Sequence, residues 1–194
     1  MKFKNKSIQI SCDGGAATGK STGAKLLSKK FKLNFLSSGL LYRYTSYLIL
    51  KNKPKNKILF IKKKFKKLDY KKLKKINLQT PEISEYSANI AKVRKVRDIL
   101  KKFQIDFAKK NKNCCIEGRD ISTKILPNSD LKFFFKCNLN IAAKRRYFEI
   151  KKKRTDIKLK DVKKALRIRN ILDTKRKNSP LLKHRDSIEI DTGK

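Results

Sequence analysis

SIQISCDGGAATGKST, residues 7–22, runs from a short apolar strand into Gly14-Gly15-Ala16-Ala17-Thr18-Gly19-Lys20-Ser21. The spacing is G-x-x-x-x-G-K-[ST], with a strand before it and a helical pattern after it (Ala24, Leu26, Leu27, Phe31). Glycines at both ends let the backbone curl, so that successive N–H groups point into one concavity that suits phosphate. In this pattern the lysine, Lys20, reaches the β- and γ-phosphates, and the Ser21 hydroxyl can ligate Mg²⁺. The helix expected over about Gly19 to Phe31 aims its positive end at the same anion. Residues 14–22 (Gly14, Gly15, Ala16, Ala17, Thr18, Gly19, Lys20, Ser21 and Thr22) are therefore the expected nucleoside triphosphate site. The bland alternative is a glycine-rich strand-to-helix turn carrying an ordinary surface lysine.

The chain has 194 residues, enough for one domain with a substantial core. No apolar run is long enough to span a membrane, and MKFKNKSIQIS carries no apolar signal segment before the first strand, so a cytoplasmic protein without a membrane partner is expected. Lys+Arg number 54 against 16 Asp+Glu, a formal charge of +38, a balance that ordinarily invites a nucleic-acid reading. Here the excess is lysine scattered along the chain rather than a stripe on one element. It accompanies abundant Asn and Ile, as A-rich codons would give. No specific nucleic-acid partner is expected. Cys12, Cys114, Cys115 and Cys137 form no C-x-x-C pair and sit in or beside apolar runs, which reads as buried small hydrophobes rather than a metal or disulfide framework. His184, the single histidine, lies in a charged KHRD segment and reads as solvated.

Apolar runs at Ile8–Cys12, Cys114–Glu117, Leu131–Cys137 and Ile188–Asp191 read as buried strands, with helical patterns between them. That alternation predicts an α/β fold: three layers, with a parallel sheet of about five strands covered on both faces. Ligands bind such sheets beyond the carboxyl ends of the strands, where Gly14–Ser21 and Glu117–Asp120 fall. Asn52–Thr80 is a lysine-rich excursion with weak periodicity. It reads as two short helices in a substrate-binding flap with a solvated outer face, the alternative being a solvated linker. Glu85–Asp98 resumes one helical pattern (Ile90, Val93, Val96), and the basic stretch at about 149–160 reads as a short lid. Arg169, Asp173 and Arg176 recur at i, i+4 and i+7, which predicts one helix face carrying two guanidinium groups and a carboxylate.

The segments ISCDGGAATGKST, LSSGLLYR, NIAKVRKVRDIL, CIEGRDI and RIRNILDTKRKNSPL together resemble the bacterial cytidylate kinases, of the P-loop nucleoside monophosphate kinase fold. The resemblance covers about Ile8 to Asp191. It implies one P-loop kinase domain over residues 1–194, with a monophosphate-binding region at 37–97 and mobile flap and lid segments. The implied reaction transfers the γ-phosphate of ATP to CMP or dCMP, with Mg²⁺, in a monomeric protein of pyrimidine metabolism. Lys20, Arg119 and Arg176 are the implied catalytic residues. Arg43, Arg119 and Arg176 would hold the monophosphate. Arg97 and Asp120, with Ser38, would meet the cytosine edge, and Arg169 with Asp173 the ribose. Tyr42 and Ala88 join the acceptor set, and Arg145 or Arg146 would face ATP from the lid side.

Three features depart from the family pattern. Glu117 stands where an Asp is common. Ala88 stands where a base-contacting Ser is expected, with Ser87 one position away. Relatives continue into a closing helix past Asp191-Thr192-Gly193-Lys194. Asp13, just before the loop, is expected either to contact the Mg²⁺ shell or to hold the arginines. The rival readings are another small-molecule P-loop kinase, a nucleic-acid-stimulated ATPase, and an inactive nucleotide-dependent scaffold.

Overall fold

The computed structural model describes residues 7–152 and 156–194, apart from the Lys74 side chain. The chain forms two compact units, one of Met1–Leu36 with Asn111–Lys194 and one of Ser37–Lys110. The elements run β1 (Gln9–Gly14), α1 (Lys20–Lys30), β2 (Asn34–Ser37), α2 (Ser38–Asn52), α3 (Lys57–Lys66), a 3₁₀ helix (Tyr70–Lys75), α4 (Pro81–Ile90), α5 (Arg94–Lys110), β3 (Cys114–Gly118), a π turn (Ile121–Ile125), β4 (Leu131–Lys136), α6 (Leu139–Lys151), α7 (Leu159–Lys175) and β5 (Ile188–Asp191).

In the first unit a five-stranded parallel sheet, ordered β2-β3-β1-β4-β5, has helices on both sides, so the expected fold class holds. β1 lies between β3 and β4: Asp13 sits beside Gly118 on one flank and Phe134 on the other. The strand order reverses at β1, and sheets of this kind bind ligands beyond the carboxyl ends of their strands at such a point. The phosphate loop expected from the sequence leaves the sheet there. Ile10, Cys12, Cys115 and Phe135 pack with Ala24 of α1 and Leu33 as one cluster. Ile10, Leu36 and Ile116 are at most 1% exposed, and each such side chain contributes roughly 1.5–3 kcal/mol when removed from water. Cys12, Cys114 and Cys115 are buried as expected, with the sulfurs of Cys12 and Cys115 3.8 Å apart, whereas Cys137, just past the end of β4, is only half-buried. His184 is half-buried, not fully solvated, and its Nδ1 accepts the Asp186 backbone N–H at 3.2 Å.

β2 was not expected from the sequence. It is four residues long and buries only Leu36, so no period-2 pattern marks it. α1 matches its expected span, with Gly19 as N-cap in the left-handed region (φ 73°). β1 extends to Gly14 rather than ending at Cys12.

The second unit is helical. Ser37, Asn56 and Thr80 cap α2, α3 and α4 through side-chain oxygens that accept N–H groups three residues on, and Pro81 occupies the first turn of α4. The lysine-rich stretch is not a bare linker. Ile61, Phe65, Leu73 and Leu78 are buried, Phe65 meets Phe103 edge-on at 5.6 Å, and Lys62, Lys63, Lys64, Lys66 and Lys67 stay outside. The single helix expected over Glu85–Asp98 is in fact two. After Ile90 the backbone tightens, with Lys92 N–H donating to Asn89 O and Val93 N–H to Ile90 O, and α5 starts afresh at Arg94. Ala88 and Arg97 therefore belong to different helices. The break carries no Gly or Pro. The Arg97 guanidinium, which donates to Ala91 O at 3.2 Å, takes up a carbonyl near it.

Gly14 has no room for a side chain. Its φ is 155°, and a Cβ there would lie 2.4 Å from the Phe135 carbonyl oxygen of β4. Backbone cannot yield as a flexible side chain does. Gly14→Ala is expected to destabilise the protein by about 1–3 kcal/mol, as overpacking and forced backbone shifts do. Urea unfolding checks this, and an unchanged midpoint would contradict it.

Candidate phosphate-binding site

β1 delivers residues 14–19 to the carboxyl edge of the sheet as a tight loop. Gly19 and, unusually for a residue with a side chain, Ala17 (φ 58°) take left-handed conformations. The Thr18 hydroxyl donates to Gly15 O at 3.1 Å and ties the loop across itself. Ser21 is half-buried in the first turn of α1 and Thr22 is exposed. Lys20 is buried, its Nζ 3.4 Å from Glu117 Oε2 at the end of β3. Burial, and then the neighbouring Arg119 cation, push its pKa down to about 8, against the pull of Glu117.

Asp13 turns its carboxylate toward the segment that follows β3. Its carboxylate is fully buried and accepts three hydrogen bonds, from Ile121 N–H and Ser122 N–H at 2.8 Å and from the Ser122 hydroxyl at 2.6 Å. It thereby holds the backbone that follows Arg119-Asp120, and it acts on the arginines only through that segment. Burial raises its pKa, and the Ser122 and Ile121 hydrogen bonds work against the rise.

Asp173 of α7 gathers the arginines. Arg119 Nε donates to its Oδ2 at 2.8 Å, Arg169 Nε lies 3.6 Å from the same oxygen, and Arg176 Nη1 lies 3.7 Å from Oδ1. Burial works to raise the pKa of this carboxyl. The three guanidinium groups outweigh it and hold the carboxyl below the ordinary carboxylate range. Asp120 Oδ1 lies 3.8 Å from Arg176 Nη2. The expected helix face is realised, with Arg176 as its last member. α7 is helical to Lys175, and Arg176, its C-cap, keeps a helical φ (−65°), so its side chain leaves at the helical spacing, three residues past Asp173. Its ψ of 138° turns the chain that follows, where Leu181 N–H donates to Asp173 O and Arg176 Nε to Ser179 O.

The two lid-side candidates separate. Arg145 is exposed but tethered: its guanidinium donates to Thr192 O at 2.7 Å and to the Thr192 hydroxyl at 3.3 Å. That hydroxyl in turn donates to Thr18 O at 3.0 Å. Arg145 is thus linked to the loop, whereas Arg146 pairs with Glu149 on its own helix at 2.9 Å. Of the stretch at 149–160, residues 149–151 belong to α6 and 159–160 to α7, and 153–155 lie outside the described residues. Sequence reasoning missed Thr192, whose role arises 174 positions from Thr18 and leaves no local signal.

In the second unit Ser38 is buried in the first turn of α2, and Tyr42 and Arg43 are half-buried on the same helix. The Arg97 guanidinium lies over the Tyr42 ring, 5.7 Å from its centroid, and the side chain is itself buried. Ala88 is half-buried. Ser87 is buried, and its hydroxyl donates to Ser84 O at 2.7 Å within α4.

In the first unit Lys20, Arg119, Arg169 and Arg176 face three carboxylates: Glu117, Asp120 and Asp173. That leaves one positive unit beside a loop of backbone N–H donors, an arrangement suited to phosphate. Among the described residues no three of His, Cys, Asp and Glu are grouped to hold a metal ion. Magnesium chemistry fits the oxygen donors on offer, because Mg²⁺ is commonly held by one or two protein oxygens together with substrate phosphates and water.

Comparison with known proteins gives the family of the chain. A family model described as cytidylate kinase matches residues 10–194. A cytidylate kinase of Fusobacterium nucleatum is 35% identical over 95% of this chain and 89% of its own length. One of Flavobacterium psychrophilum is 34% identical over 96% and 91%, and one of Bartonella quintana 34% over 96% and 87%. Two solved structures share the fold alone. An uncharacterised protein from Eubacterium ventriosum has a TM-score of 0.52 at 14% identity, covering 97% of this chain and 91% of its own. The protein TT1252 from Thermus thermophilus scores 0.50 at 14%, covering 98% and 91%. By the family match and by identity over nearly its whole length, the chain belongs to the cytidylate kinase family.

Proposed function

We propose that the protein is a cytidylate kinase that transfers the γ-phosphate of ATP to CMP or dCMP. The observation that carries this reading is the Asp173 cluster beside the phosphate loop, in a chain of this family. Three guanidinium groups gathered on one carboxylate are too many cations for a simple surface ion pair, and they suit an incoming phosphate dianion.

Residues 14–22 cradle the ATP phosphates, with Lys20 as the charge nearest the transferring group. Arg145 stands on the ATP side through its tether to Thr18, and Arg146 takes no such part. Ser21 would hold Mg²⁺, which neutralises charge on the phosphates. Arg43, Arg119 and Arg176 neutralise the acceptor phosphate, and Asp173 holds two of them in place. Arg169 with Asp173 meets the ribose. Ser38, Tyr42, Ala88, Arg97 and Asp120 recognise the nucleoside. No general base is needed. The second pKa of a phosphate monoester is about 6, so the attacking oxygen is already ionised near neutrality. Catalysis is then alignment and charge compensation, with water kept from the donor phosphate. Residues 37–97 serve as the monophosphate-binding region and the stretch at about 149–160 as the lid of one kinase domain. The protein works as a cytoplasmic monomer, with nucleotides as its ligands.

Acceptor choice tests the reading. CMP and dCMP should exceed UMP, AMP and GMP in kcat/KM when ADP release is followed in a coupled assay. Asp120 can accept from the amino group of cytosine and repels O4 of uracil. A higher kcat/KM for UMP or AMP would overturn the assignment. Asp120→Asn should shift the CMP-to-UMP ratio toward UMP, since an amide donates to O4. A uniform loss with an unchanged ratio would mean that Asp120 serves Arg176 and not the base.

Lys20→Met should lower kcat by about 10²- to 10³-fold, the usual scale for one electrostatic group aimed at the transition state. It should also lower the melting temperature, because the buried Glu117 carboxylate loses a cation. Near-wild-type turnover would exclude Lys20 from the chemistry.

A further inference from the structure

α7 carries more than the arginine cluster. Its inward stripe runs Leu166, Asn170, Asp173, at i, i+4 and i+7. Leu166 is buried in a cluster against which the loop residues Ala16 and Ala17 pack. One turn on, Asn170 Oδ1 accepts the backbone N–H of Ala16 at 3.0 Å. Gly15 makes room for it, since a Cβ at Gly15 would lie 3.2 Å from the same oxygen. One turn further, Asp173 holds Arg119, Arg169 and Arg176. A single rigid helix therefore grips the phosphate loop by one side chain and the arginines by another, three residues apart.

We propose that Asn170 is a positioning residue that couples the donor loop to the acceptor-side arginines. The inference rests on the functional reading above. A phosphate dianion that draws Arg119 and Arg176 to itself shifts charge off Asp173 and biases the placement of α7. Through Asn170 that bias is felt at the Ala16 N–H, hence in the curl of the loop that receives the triphosphate. Thermodynamic linkage makes the effect reciprocal: each nucleotide tightens the other by the same factor. A neutral amide suits this post. It accepts the N–H bond as a carboxylate would, without adding negative charge beside the triphosphate.

The test compares the full-length wild type with Asn170→Ala, Asn170→Leu and Asn170→Asp. Leu keeps the volume and removes the acceptor, and Asp keeps an acceptor. The affinity of a non-hydrolysable ATP analogue is measured by calorimetry with and without saturating CMP, and Ala16 amide exchange is followed by NMR. In the wild type CMP should tighten the analogue by at least about 5-fold, the lower end of ordinary coupling. In Asn170→Ala and Asn170→Leu the factor should fall below about 2-fold while Ala16 exchange quickens. Asn170→Asp should keep Ala16 protected and retain most of the coupling. Wild-type coupling in both acceptor-free variants, or no coupling in a wild type that turns CMP over, would overturn the proposal. Absence of CMP turnover in the wild type would sink the functional reading instead. In that case quickened Ala16 exchange and weaker analogue binding in Asn170→Ala would still support the role of Asn170 at the loop, and unchanged values would refute it.

Discussion

The buried carboxylate of Asp13 is the constraint on which the site's geometry depends. A charge with no exposure would be prohibitive without hydrogen bonds, and this one has three, from two consecutive backbone N–H groups and a hydroxyl. All three donors lie in Ile121 and Ser122, so a residue at the end of β1 dictates the path of the chain as it leaves β3. That path places Arg119 against Asp173 and Asp120 against Arg176. The phosphate loop follows Asp13 directly in sequence. The loop from Gly14 to Ser21 and Arg119 are therefore registered to one another by a single side chain at the strand-order reversal.

The charges added to this frame are arranged for exchange rather than for maximal stability. Asp173 meets three guanidinium groups and Lys20 meets Glu117, all largely out of water. Buried ion pairs of this kind add little net stability, because desolvation offsets most of the attraction. On the proposed reading they provide oriented, partly desolvated cations whose carboxylate partners give way to a phosphate. On the proposed reading this preorganisation is the main catalytic resource, since phosphoryl transfer asks for charge compensation more than for covalent chemistry.

How much of this the sequence disclosed follows from how local each feature is. The loop from Gly14 to Ser21 and the helix after it are set by contiguous residues, and both lie where the pattern places them. β1, β3 and β4 betray themselves as apolar runs; Ile188–Asp191 was marked in the same way, but as the edge strand β5 it is not buried, with Ile188 52% exposed. β2 was not marked, since only Leu36 of its four residues is buried. The split between α4 and α5 left no mark either, because no Gly or Pro announces it and the Arg97 guanidinium, six residues past Ala91, helps to satisfy it. Arg176 was legible from helical spacing, because its side chain leaves the end of α7 at that spacing; the turn after it, which brings Ser179 O to its Nε, left no mark. Contacts such as Thr192 with Thr18 or Asn170 with Ala16 join residues more than 150 positions apart and cannot be read from spacing at all.

Glu117 sets the surroundings of the buried lysine. The sequence marked it only as a departure from an expected Asp. In the fold its carboxylate lies 3.4 Å from Lys20, with both side chains under 10% exposed. Arg119 opposes the charge on Lys20, and Glu117 supports it. Without that carboxylate, burial and Arg119 would act on the lysine with much less opposition, and its ammonium form would be harder to keep near neutrality. A phosphate loop that takes its lysine charged needs a counter-ion close by, yet one that yields to a triphosphate of higher charge. A single carboxylate at 3.4 Å, at the long edge of direct hydrogen bonding, meets both requirements: it keeps the charge on Lys20 and competes only weakly for it.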